Sequence, residues 1–466
     1  MASSPVLVIG LDGAPERYVL EAPPGALPNL QALMARGLWG PLTSTIPPIT
    51  CPAWACMSTS RDPGQLGLYG FRNRTDFSYP PMERADASWI HAPRVWEILS
   101  DMGHRSVVLG VPLTYPVRAF DGWLVSSFLG PGPAGDYTHP AGLADEIRQV
   151  APGYMVDVPD FRTDDKERLL SQIYRMTDER FKLAVHLMRT RPWDLFWLVE
   201  MGSDRMHHGF WRYGDPDHRL HQPGHPYEHA IADYYRHLDG WVGELLQVAP
   251  DDATVFVVSD HGAKTLTGAI SMNDWLRREG YLVMKHLPDV PAPLDPAWVD
   301  WSRTRLWAEG GYYARIFVNG LGREPMGIVP SSEYESLLDD VSSRLVALRD
   351  HERRPMASRA MRPADLYREV RGIAPDLIVY LGDLDWRSAG TVGHRDIYLL
   401  ENDTGPDDAN HSQEGIFVLA GPGVAAPGRY EGASLLDVAP TIMAALGHGK
   451  VEGMLGESLE GRPRCP

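Results

Sequence analysis

Short apolar runs recur along the chain, and several of them end at a polar residue. Three continuous runs are bounded by turn-type residues, which is typical of buried parallel strands. They read PVLVIGLDG (5–13), DLFWLVE (194–200) and TVFVVSDHG (254–262). The same pattern predicts further strands within 376–383 and 415–423. The chain is therefore predicted to contain a sheet with acidic residues at the carboxyl ends of its strands.

Segments with helical spacing of apolar residues lie between these runs. One of them is 27–37, where Gly37 is predicted to be the C-cap, and others fall within 94–112, 178–204 and 235–262. This alternation predicts an α/β fold with a doubly wound, mostly parallel sheet flanked by helices. In such sheets the functional site lies beyond the carboxyl ends of the strands.

The alternation of strands and helices is interrupted in the middle of the chain. Residues 263–370 place Pro- and Trp-rich segments between two amphipathic helices, which are predicted at 273–283 and 331–350. We interpret 263–370 as an inserted lid over the site. Residues 1–262 and 371–466 are then the core that carries the chemistry.

Composition narrows the class of protein. The 466 residues carry a net charge of −17, and no basic run stands out, so binding to a nucleic-acid duplex is not expected. The three cysteines form no CxxC pair, which argues against a disulfide framework. The apolar run near the N-terminus is too short for a signal peptide or a membrane span. We expect a soluble cytoplasmic protein with no membrane partner.

Carboxylates and histidines gather at the predicted carboxyl edge of the sheet. Each one alone has an ordinary explanation as a turn, a cap or a surface pair, and the histidines from 218 to 229 are interpreted as a solvated loop. As a set, hard oxygens and imidazoles suit zinc, manganese or iron, and their number fits two ions better than one. The candidate ligands are Asp12, Asp204, His208, Asp260, His261 and His411.

A hydroxyl and a thiol stand side by side in PPITCPAW (47–54). Thr50 or Cys51 could be a nucleophile at this Pro-braced turn, and a metal ion is what would activate the hydroxyl. Thr50 could also cap a helix that starts at Pro52, a role that does not exclude the first. Cys51 and Cys56 are otherwise expected to be small buried hydrophobic residues.

Taken in order, VIGLDG, PPITCPAW, DRMHH, SDHG and NHSQEGIFVLAGPG resemble the alkaline phosphatase superfamily. Within it, the chain resembles the type I phosphodiesterase/nucleotide pyrophosphatase branch and a group of predicted bacterial and archaeal phosphohydrolases or phosphomutases. The resemblance covers most of 1–262 and 370–447.

The resemblance implies two divalent ions, with Zn²⁺ favoured and Mn²⁺ as the alternative. One ion would be held by Asp204, His208 and His411, with His394 as the alternative to His411. The other would be held by Asp12, Asp260 and His261, with Thr50 also contacting it.

In the phosphodiesterase branch the nucleophile is the Thr of a Thr-x-Pro triplet, which Thr50-Cys51-Pro52 matches. The Cys-x-Pro-x-Arg frame of sulfatases is absent. The relatives also use an Asn about twenty residues later to hold a phosphoryl oxygen, and Asn73 is the candidate here. Arg72 or Arg74 could take that role instead, or lie on the surface. An Arg would favour a dianionic monoester and Asn a monoanionic diester.

The resemblance implies a phosphodiesterase or nucleotide pyrophosphatase that acts on a small phosphorylated or nucleotide-type substrate through a phosphothreonine intermediate. A phosphomonoesterase or phosphomutase of the same superfamily is the alternative, and a non-catalytic binding protein is a remote one. Trp307, Tyr312 and Tyr313 in the insertion could stack on a base or sugar, or simply pack in the core.

Overall fold

The computed structural model describes residues 4–79, 81–424 and 426–461. A ten-stranded, mostly parallel sheet forms its centre, with helices on both faces, as predicted from the sequence. Within the described residues, no helix combines the length and the apolar character that crossing a membrane requires.

The helices are α1 Glu16–Val19, α2 Pro28–Arg36, α3 Thr50–Thr59, α4 Pro63–Leu66, α5 Val95–Asp101, α6 Leu143–Val150, α7 Lys166–Thr190, α8 Gly202–Gly214, α9 Ala230–Val248, α10 Met272–Arg278, α11 Ser331–Val346, α12 Pro363–Leu366 and α13 Val438–Ala445. Short 3-10 turns cover Ala87–Trp89, Gly132–Ala134, Pro296–Trp298 and Leu435–Asp437.

The strands are β1 Val6–Leu11, β2 Leu38–Thr43, β3 Arg72–Asn73, β4 Glu83–Arg84, β5 Ser106–Leu109, β6 Gly122–Val125, β7 Thr138–His139, β8 Leu195–Glu200, β9 Thr254–Val258, β10 Gly262–Thr265, β11 Gly268–Ser271, β12 Ala292–Pro293, β13 Leu306–Glu309, β14 Ala314–Val318, β15 Arg359–Met361, β16 Leu377–Tyr380, β17 Trp386–Ala389, β18 Thr391–Val392, β19 Tyr398–Leu399, β20 Ala409–Ser412, β21 Glu414–Ala420, β22 Gly428–Arg429 and β23 Ala433–Ser434.

The order of the central sheet is β22-β2-β21-β9-β1-β8-β5-β6-β7, with β23 paired to β2. Strand β1 lies between β8 and β9 and runs parallel to both. Antiparallel pairing occurs where β21 meets β9 and β2, and where β7 meets β6. Because β1, β8 and β9 are parallel neighbours, the residues that follow them meet at one edge.

Strand β1 shows why both faces of the sheet are covered. Leu7, Ile9 and Leu11 pack into the core that includes α7, α8 and α9. Val6 and Val8 point the other way, into the core that includes α3, α5 and α13. Successive side chains of a strand point to opposite faces, so a run that is apolar at every position needs cover on both sides.

A second, four-stranded antiparallel sheet lies outside the central one, in the order β13-β14-β16-β15. The run at 376–383, predicted as a strand, forms β16 in this sheet. The predicted boundary at 370/371 therefore separates β16 from the three strands with which it forms the sheet. The division of the chain into a core and an insertion stays a prediction.

Gly37 ends helix α2, but not in the left-handed conformation that its predicted role as C-cap suggests. Its φ is −123° and its ψ is 172°, which is extended backbone. A Cβ at this position would lie 2.5 Å from the carbonyl oxygen of Leu419 on β21. Glycine is needed here because another strand passes close by, not because the turn is left-handed.

Candidate active site

The carboxylates and histidines predicted as ligands lie together at the carboxyl edge of the central sheet. Asp12 directly follows β1, and Asp260 and His261 follow β9. Asp204 and His208 lie one turn apart on α8, which begins just after β8. His411 is on β20, opposite Ala263 of β10. All of them are buried, with exposed fractions of 3% or less.

Asp12, Asp260 and His261 form one donor group. Nε2 of His261 lies 3.3 Å from Oδ2 of Asp260 and 3.7 Å from Oδ1 of Asp12. One donor atom from each of the three residues lies within 4.8 Å of the others. Oδ1 of Asp12 and Oδ2 of Asp260 are buried and accept no hydrogen bond from the described residues. Two buried carboxylate oxygens without donors beside a histidine nitrogen fit a divalent cation.

Asp204 is the centre of a second donor group. Its Oδ1 lies 3.3 Å from Nε2 of His208 and 3.8 Å from Nε2 of His411. Asp204 and His411 also group with His261, all within 4.8 Å. His261 therefore lies between the two donor groups, and its ring stacks on that of His411 with 3.7 Å between centroids. That the two donor groups hold two ions stays a prediction.

All three histidines turn Nε2 towards the donor groups and Nδ1 towards an oxygen. Nδ1 of His208 lies 2.6 Å from Oδ1 of Asp407. Nδ1 of His261 and of His411 lies 2.9 Å from a backbone carbonyl, of Gly262 and Pro48 respectively. These acceptors favour the tautomer with the proton on Nδ1, which leaves the Nε2 lone pair free to bind metal.

The electrostatics of the site change the pKa values of its acids and bases. Burial raises the pKa of Asp12 well above its ordinary value, and the charge of Asp204 raises it further. Burial and the charge of Asp12 likewise raise the pKa of Asp260. Burial lowers the pKa of His261 to about 4. A cluster in which carboxyl groups repel one another and the imidazole stays neutral is suited to a bound cation.

Thr50 stands at the first position of α3, and its hydroxyl faces these donors. Its Oγ1 lies 3.4 Å from Nε2 of His261. Ile49 before it has extended backbone, so the chain enters the helix at a sharp turn. The helix N-terminus also offers amide groups and a favourable dipole to an anion. Of the two possible nucleophiles, Thr50 is the one beside the carboxylate and histidine groups.

Cys51 points away from the site. It packs in the hydrophobic core with Cys56, as expected, and both are free thiols with no exposed surface. Burial raises the pKa of the Cys51 thiol well above its ordinary value. A thiol of this kind is a poor nucleophile because it stays protonated.

A cavity of about 400 Å³ opens beside the donor groups. Thr50, Asp204, His411 and Tyr312 line it, together with Arg72. The ring of Tyr312 stacks on His411 with 4.2 Å between centroids, so the turn between β13 and β14 contributes an aromatic wall next to the donor groups.

The other two candidates for a substrate contact lie outside this cavity. The side-chain oxygen of Asn73 accepts from the Tyr69 amide at 2.8 Å, and its NH₂ donates to the Gly70 carbonyl at 3.0 Å. Arg74 is buried in an ion pair with Glu324 at 3.1 Å. The structure therefore brings Arg72 to the cavity, but neither Asn73 nor Arg74.

His394, the alternative to His411, is in neither of the two donor groups, and its contacts are with other residues. Its Nε2 lies 2.7 Å from Oγ1 of Thr391, and its amide donates to Asp274. In the His-rich loop, His218 is 5% exposed rather than solvated.

Several supporting residues were not identified from the sequence. The indole NH of Trp54 donates to Oδ2 of Asp12 at 2.7 Å. Asp407 holds His208, and Asp157 holds Arg205 through two hydrogen bonds of 2.8 and 2.7 Å. Trp54 is one helical turn beyond Thr50, a spacing that could have marked it as part of the site. The sequence carries no comparable signal for Asp157.

Comparisons with known proteins agree with this architecture. The family model of type I phosphodiesterase / nucleotide pyrophosphatase matches residues 6–407. Phosphonoacetate hydrolase from Sinorhizobium meliloti, solved with phosphonoformate, has a TM-score of 0.62 at 17% identity, with 96% of each chain covered. Human ectonucleotide pyrophosphatase/phosphodiesterase 5 has a TM-score of 0.53 at 15% identity, again with 96% of each chain covered. The chain therefore shares its fold with these two enzymes.

A curated relative matches over a shorter region. Human N-acetylgalactosamine-6-sulfatase is 24% identical over 271 residues, which are 56% of this chain. The chain spans about half of the length of that relative, 48%.

Proposed function

Because the chain belongs to the type I phosphodiesterase/nucleotide pyrophosphatase family, we propose that it is a two-metal phosphodiesterase that uses Thr50 as nucleophile. The observation that carries the proposal is the position of the Thr50 hydroxyl, 3.4 Å from Nε2 of His261, which lies between the two donor groups. From this position the hydroxyl can attack the phosphorus atom of a phosphoryl group that is bound between the two donor groups.

The residues fit two divalent ions, with zinc favoured by the mixed oxygen and nitrogen donors and manganese as the alternative. Asp12, Asp260, His261 and Thr50 would hold one ion, and Asp204, His208 and His411 the other. When bound, such ions lower the pKa of a coordinated hydroxyl and offset the charge that develops on phosphoryl and leaving oxygens.

Residues of the chain would supply the nucleophile and hold the phosphoryl group. The Thr50 hydroxyl gives its proton to solvent, and Oγ1 forms a bond to phosphorus while the bond from phosphorus to the leaving oxygen breaks in line with it; the leaving oxygen departs with the bonding electron pair and takes up a proton. Water then attacks the phosphothreonine and loses a proton, the P–O bond to Thr50 breaks, and Oγ1 takes up a proton to restore the hydroxyl. The N-terminal amides of α3 stabilise the phosphoryl oxygens during both steps. Two displacements give overall retention of configuration at phosphorus.

The cavity supports a small phosphorylated or nucleotide-type substrate. Its volume of about 400 Å³ lies within the range of small-molecule sites. Tyr312 offers an aromatic face, although its ring already packs on His411.

A phosphomonoesterase is the second candidate, and one observation favours it. Arg72 lines the cavity, whereas the amide of Asn73 is used within its own turn. A guanidinium contact suits the extra charge of a monoester.

The deciding experiment compares p-nitrophenyl phosphodiester and monoester hydrolysis by the metal-loaded protein. Thr50→Ala, Cys51→Ala and an EDTA-treated sample are assayed beside it. We expect the diester to be preferred, and activity to be lost in Thr50→Ala and after EDTA but kept in Cys51→Ala. Cleavage of the monoester alone would favour the second candidate. Full activity of Thr50→Ala would instead assign the attack to water.

A further inference from the structure

Arginine dominates the cavity beside Thr50. Five of its side chains line that cavity, whereas only two carboxylates do, those of Asp157 and Asp204. The arginines are Arg72, Arg162, Arg205, Arg315 and Arg387. This local excess of positive charge contrasts with the net charge of −17 of the whole chain.

Two of these arginines are neutralised by acidic neighbours. Arg205 makes two hydrogen bonds to Asp157, at 2.8 and 2.7 Å, and a third to Asp204 at 2.5 Å. Arg162 pairs with Asp407 at 2.9 Å. These guanidinium groups help to build the metal site, and their charge is already matched.

Arg387 is only partly neutralised. It donates to Oδ1 of Asn402 at 2.6 Å and lies 3.9 Å from the carboxylate of Asp403. Its Nε is buried and has no hydrogen-bond partner among the described residues. The side chain is 6% exposed, so this NH group is not solvated from the bulk.

Arg72 and Arg315 have no carboxylate partner within 4.0 Å among the described residues. Arg315 is only 7% exposed, and its Nη1 donates to the backbone carbonyl of Arg72. Glu309, opposite Arg315 in the β13–β14 pair, is the acidic neighbour. Burial raises the pKa of Glu309, whereas the charges of Arg315 and Arg72 lower it, so Glu309 acts on both arginines only from beyond ion-pair distance. A guanidinium group that is withdrawn from water without a paired anion is costly.

The fold holds this pair of arginines in place. Gly70 precedes Arg72 in the turn that Asn73 closes, and a Cβ at Gly70 would lie 2.7 Å from the hydroxyl of Tyr313 and 3.2 Å from Nη1 of Arg315. The close approach brings the turn against strand β14, so that Arg72 and Arg315 meet at the same wall of the cavity.

We propose that this wall is a second anion subsite, which makes the enzyme selective for phosphodiesters that carry an additional carboxylate or phosphate group. The proposal rests on the proposed function, which places the reacting phosphoryl group at Thr50. Arg72 and Arg315 bind the second anion, and Arg387 adds positive charge to the lining of the same cavity. The substrate class is thus a small phosphodiester with one anionic arm rather than a diester with two uncharged arms.

The test uses three p-nitrophenyl phosphodiesters whose other arm is ethyl, carboxyethyl or phosphoethyl. For the metal-loaded protein we expect kcat/KM to be about tenfold to a hundredfold higher for an anionic arm than for ethyl, the range that charge-assisted hydrogen bonds supply. The comparison of the two anionic arms identifies which anion the subsite prefers. Equal kcat/KM for all three diesters overturns the subsite and leaves the proposed function intact.

Single variants locate the selectivity. Arg72→Gln and Arg315→Gln are each expected to lower the ratio of kcat/KM between anionic and ethyl substrates by about tenfold. Arg189→Gln, at an exposed arginine of α7, removes the same charge outside the cavity and serves as the control. Because Arg315 is buried, thermal unfolding of Arg315→Gln is measured to show that the variant is folded. Arg72 is exposed, so Arg72→Gln tests the selectivity without this risk to folding. An unchanged ratio in Arg72→Gln contradicts the assignment.

A binding measurement separates this proposal from the catalytic one. Metal-loaded Thr50→Ala protein is titrated by calorimetry with methylphosphonate and with phosphonoacetate, which adds a carboxylate. We expect about tenfold tighter binding of phosphonoacetate, reduced by Arg72→Gln. Equal affinities for the two phosphonates overturn the subsite, whether or not any diester is hydrolysed. Failure to hydrolyse any diester, in contrast, counts against the proposed function but not against the subsite.

Discussion

The carboxylate of Asp407 lies 2.6 Å from Nδ1 of His208, and both side chains are almost completely buried. Burial alone would lower the pKa of His208, but the charges of Asp407 and Asp204 outweigh it and hold that pKa well above its ordinary value. Asp407 thereby orients the ring and increases the basicity of the proposed ligand nitrogen. Arg162 in turn holds Asp407 at 2.9 Å.

Asp407→Asn should therefore weaken metal binding without removing a proposed ligand. We expect the affinity for zinc or manganese to fall by about tenfold to a hundredfold, because the amide cannot support the imidazole as a carboxylate does. The measurement is a metal titration against a competing chelator. Asp408→Asn is the matched control, since Asp408 is buried beside it but pairs with Arg212 at 2.8 Å. Equal affinity of Asp407→Asn and wild type would contradict the assigned role.

Thr50 and Cys51 give a direct comparison of adjacent nucleophile candidates. Thr50→Ala is expected to lower kcat by about a thousandfold or more, as loss of a catalytic nucleophile does. Cys51→Ala should keep kcat within about twofold and lower the free energy of unfolding by about 1 kcal/mol, because it leaves a small gap in the core. Steady-state kinetics and denaturant unfolding of both variants check these expectations. A larger loss of kcat in Cys51→Ala than in Thr50→Ala would reverse the assignment.

The fold class could be predicted from the sequence, and so could the position of the proposed ligands at one edge of the sheet. Asp12 and Asp260 follow apolar runs that become neighbouring parallel strands, so the topology alone places them at one edge. The spacing of Asp204 and His208 puts both on one face of a helix. These inferences depend on local patterns and on a general rule for α/β sheets.

Contacts between distant parts of the chain could not be predicted in this way. Asp407 is 199 residues away from His208, and Arg315 reaches the cavity from the second sheet. The spacing from Thr50 predicts Asn73 as a substrate contact, but the local hydrogen bonds that close its turn use its amide. Side-chain hydrogen bonding of this kind depends on turn geometry, which residue spacing does not reveal.

Gly10 and Gly240 should respond in opposite directions to substitution by alanine. At Gly10, one residue before the end of β1, a Cβ would lie 2.5 Å from the Trp54 ring and 2.9 Å from Val199. Gly10→Ala should lower the free energy of unfolding by about 1–3 kcal/mol. Gly240 is inside α9, where a Cβ would meet nothing within 4 Å, so Gly240→Ala should raise it by about 0.5–1 kcal/mol.

Thermal unfolding of the two glycine variants gives the measurement. Since Trp54 also donates to Asp12 at 2.7 Å, Gly10→Ala is further expected to weaken metal binding. A stabilised Gly10→Ala protein would show that the Trp54 ring can move aside without cost, and would remove the argument that β1 and α3 are closely packed.

His218 should make the protein less stable in mild acid. Burial and the positive charges of Arg212 and Arg219 together lower its pKa to about 4. Its Nδ1 accepts the Leu220 amide at 3.1 Å, a bond that requires an unprotonated nitrogen. In the unfolded chain the imidazole of His218 binds a proton near pH 6.5, whereas in the folded chain it does so only near pH 4. The stabilisation is therefore complete above about pH 6.5 and is lost as the pH falls towards 4.

His218→Asn keeps a side-chain acceptor near the Leu220 amide but does not titrate in this range. Between pH 7 and pH 5 the wild type is expected to lose about 1 kcal/mol more unfolding free energy than this variant, after allowance for partial solvent screening. Urea unfolding at the two pH values measures the difference, and His229→Asn, at an exposed histidine of the same loop, is the matched control. If wild type and His218→Asn lose stability equally, His218 is protonated in the folded protein and its hydrogen bond to Leu220 does not persist in acid.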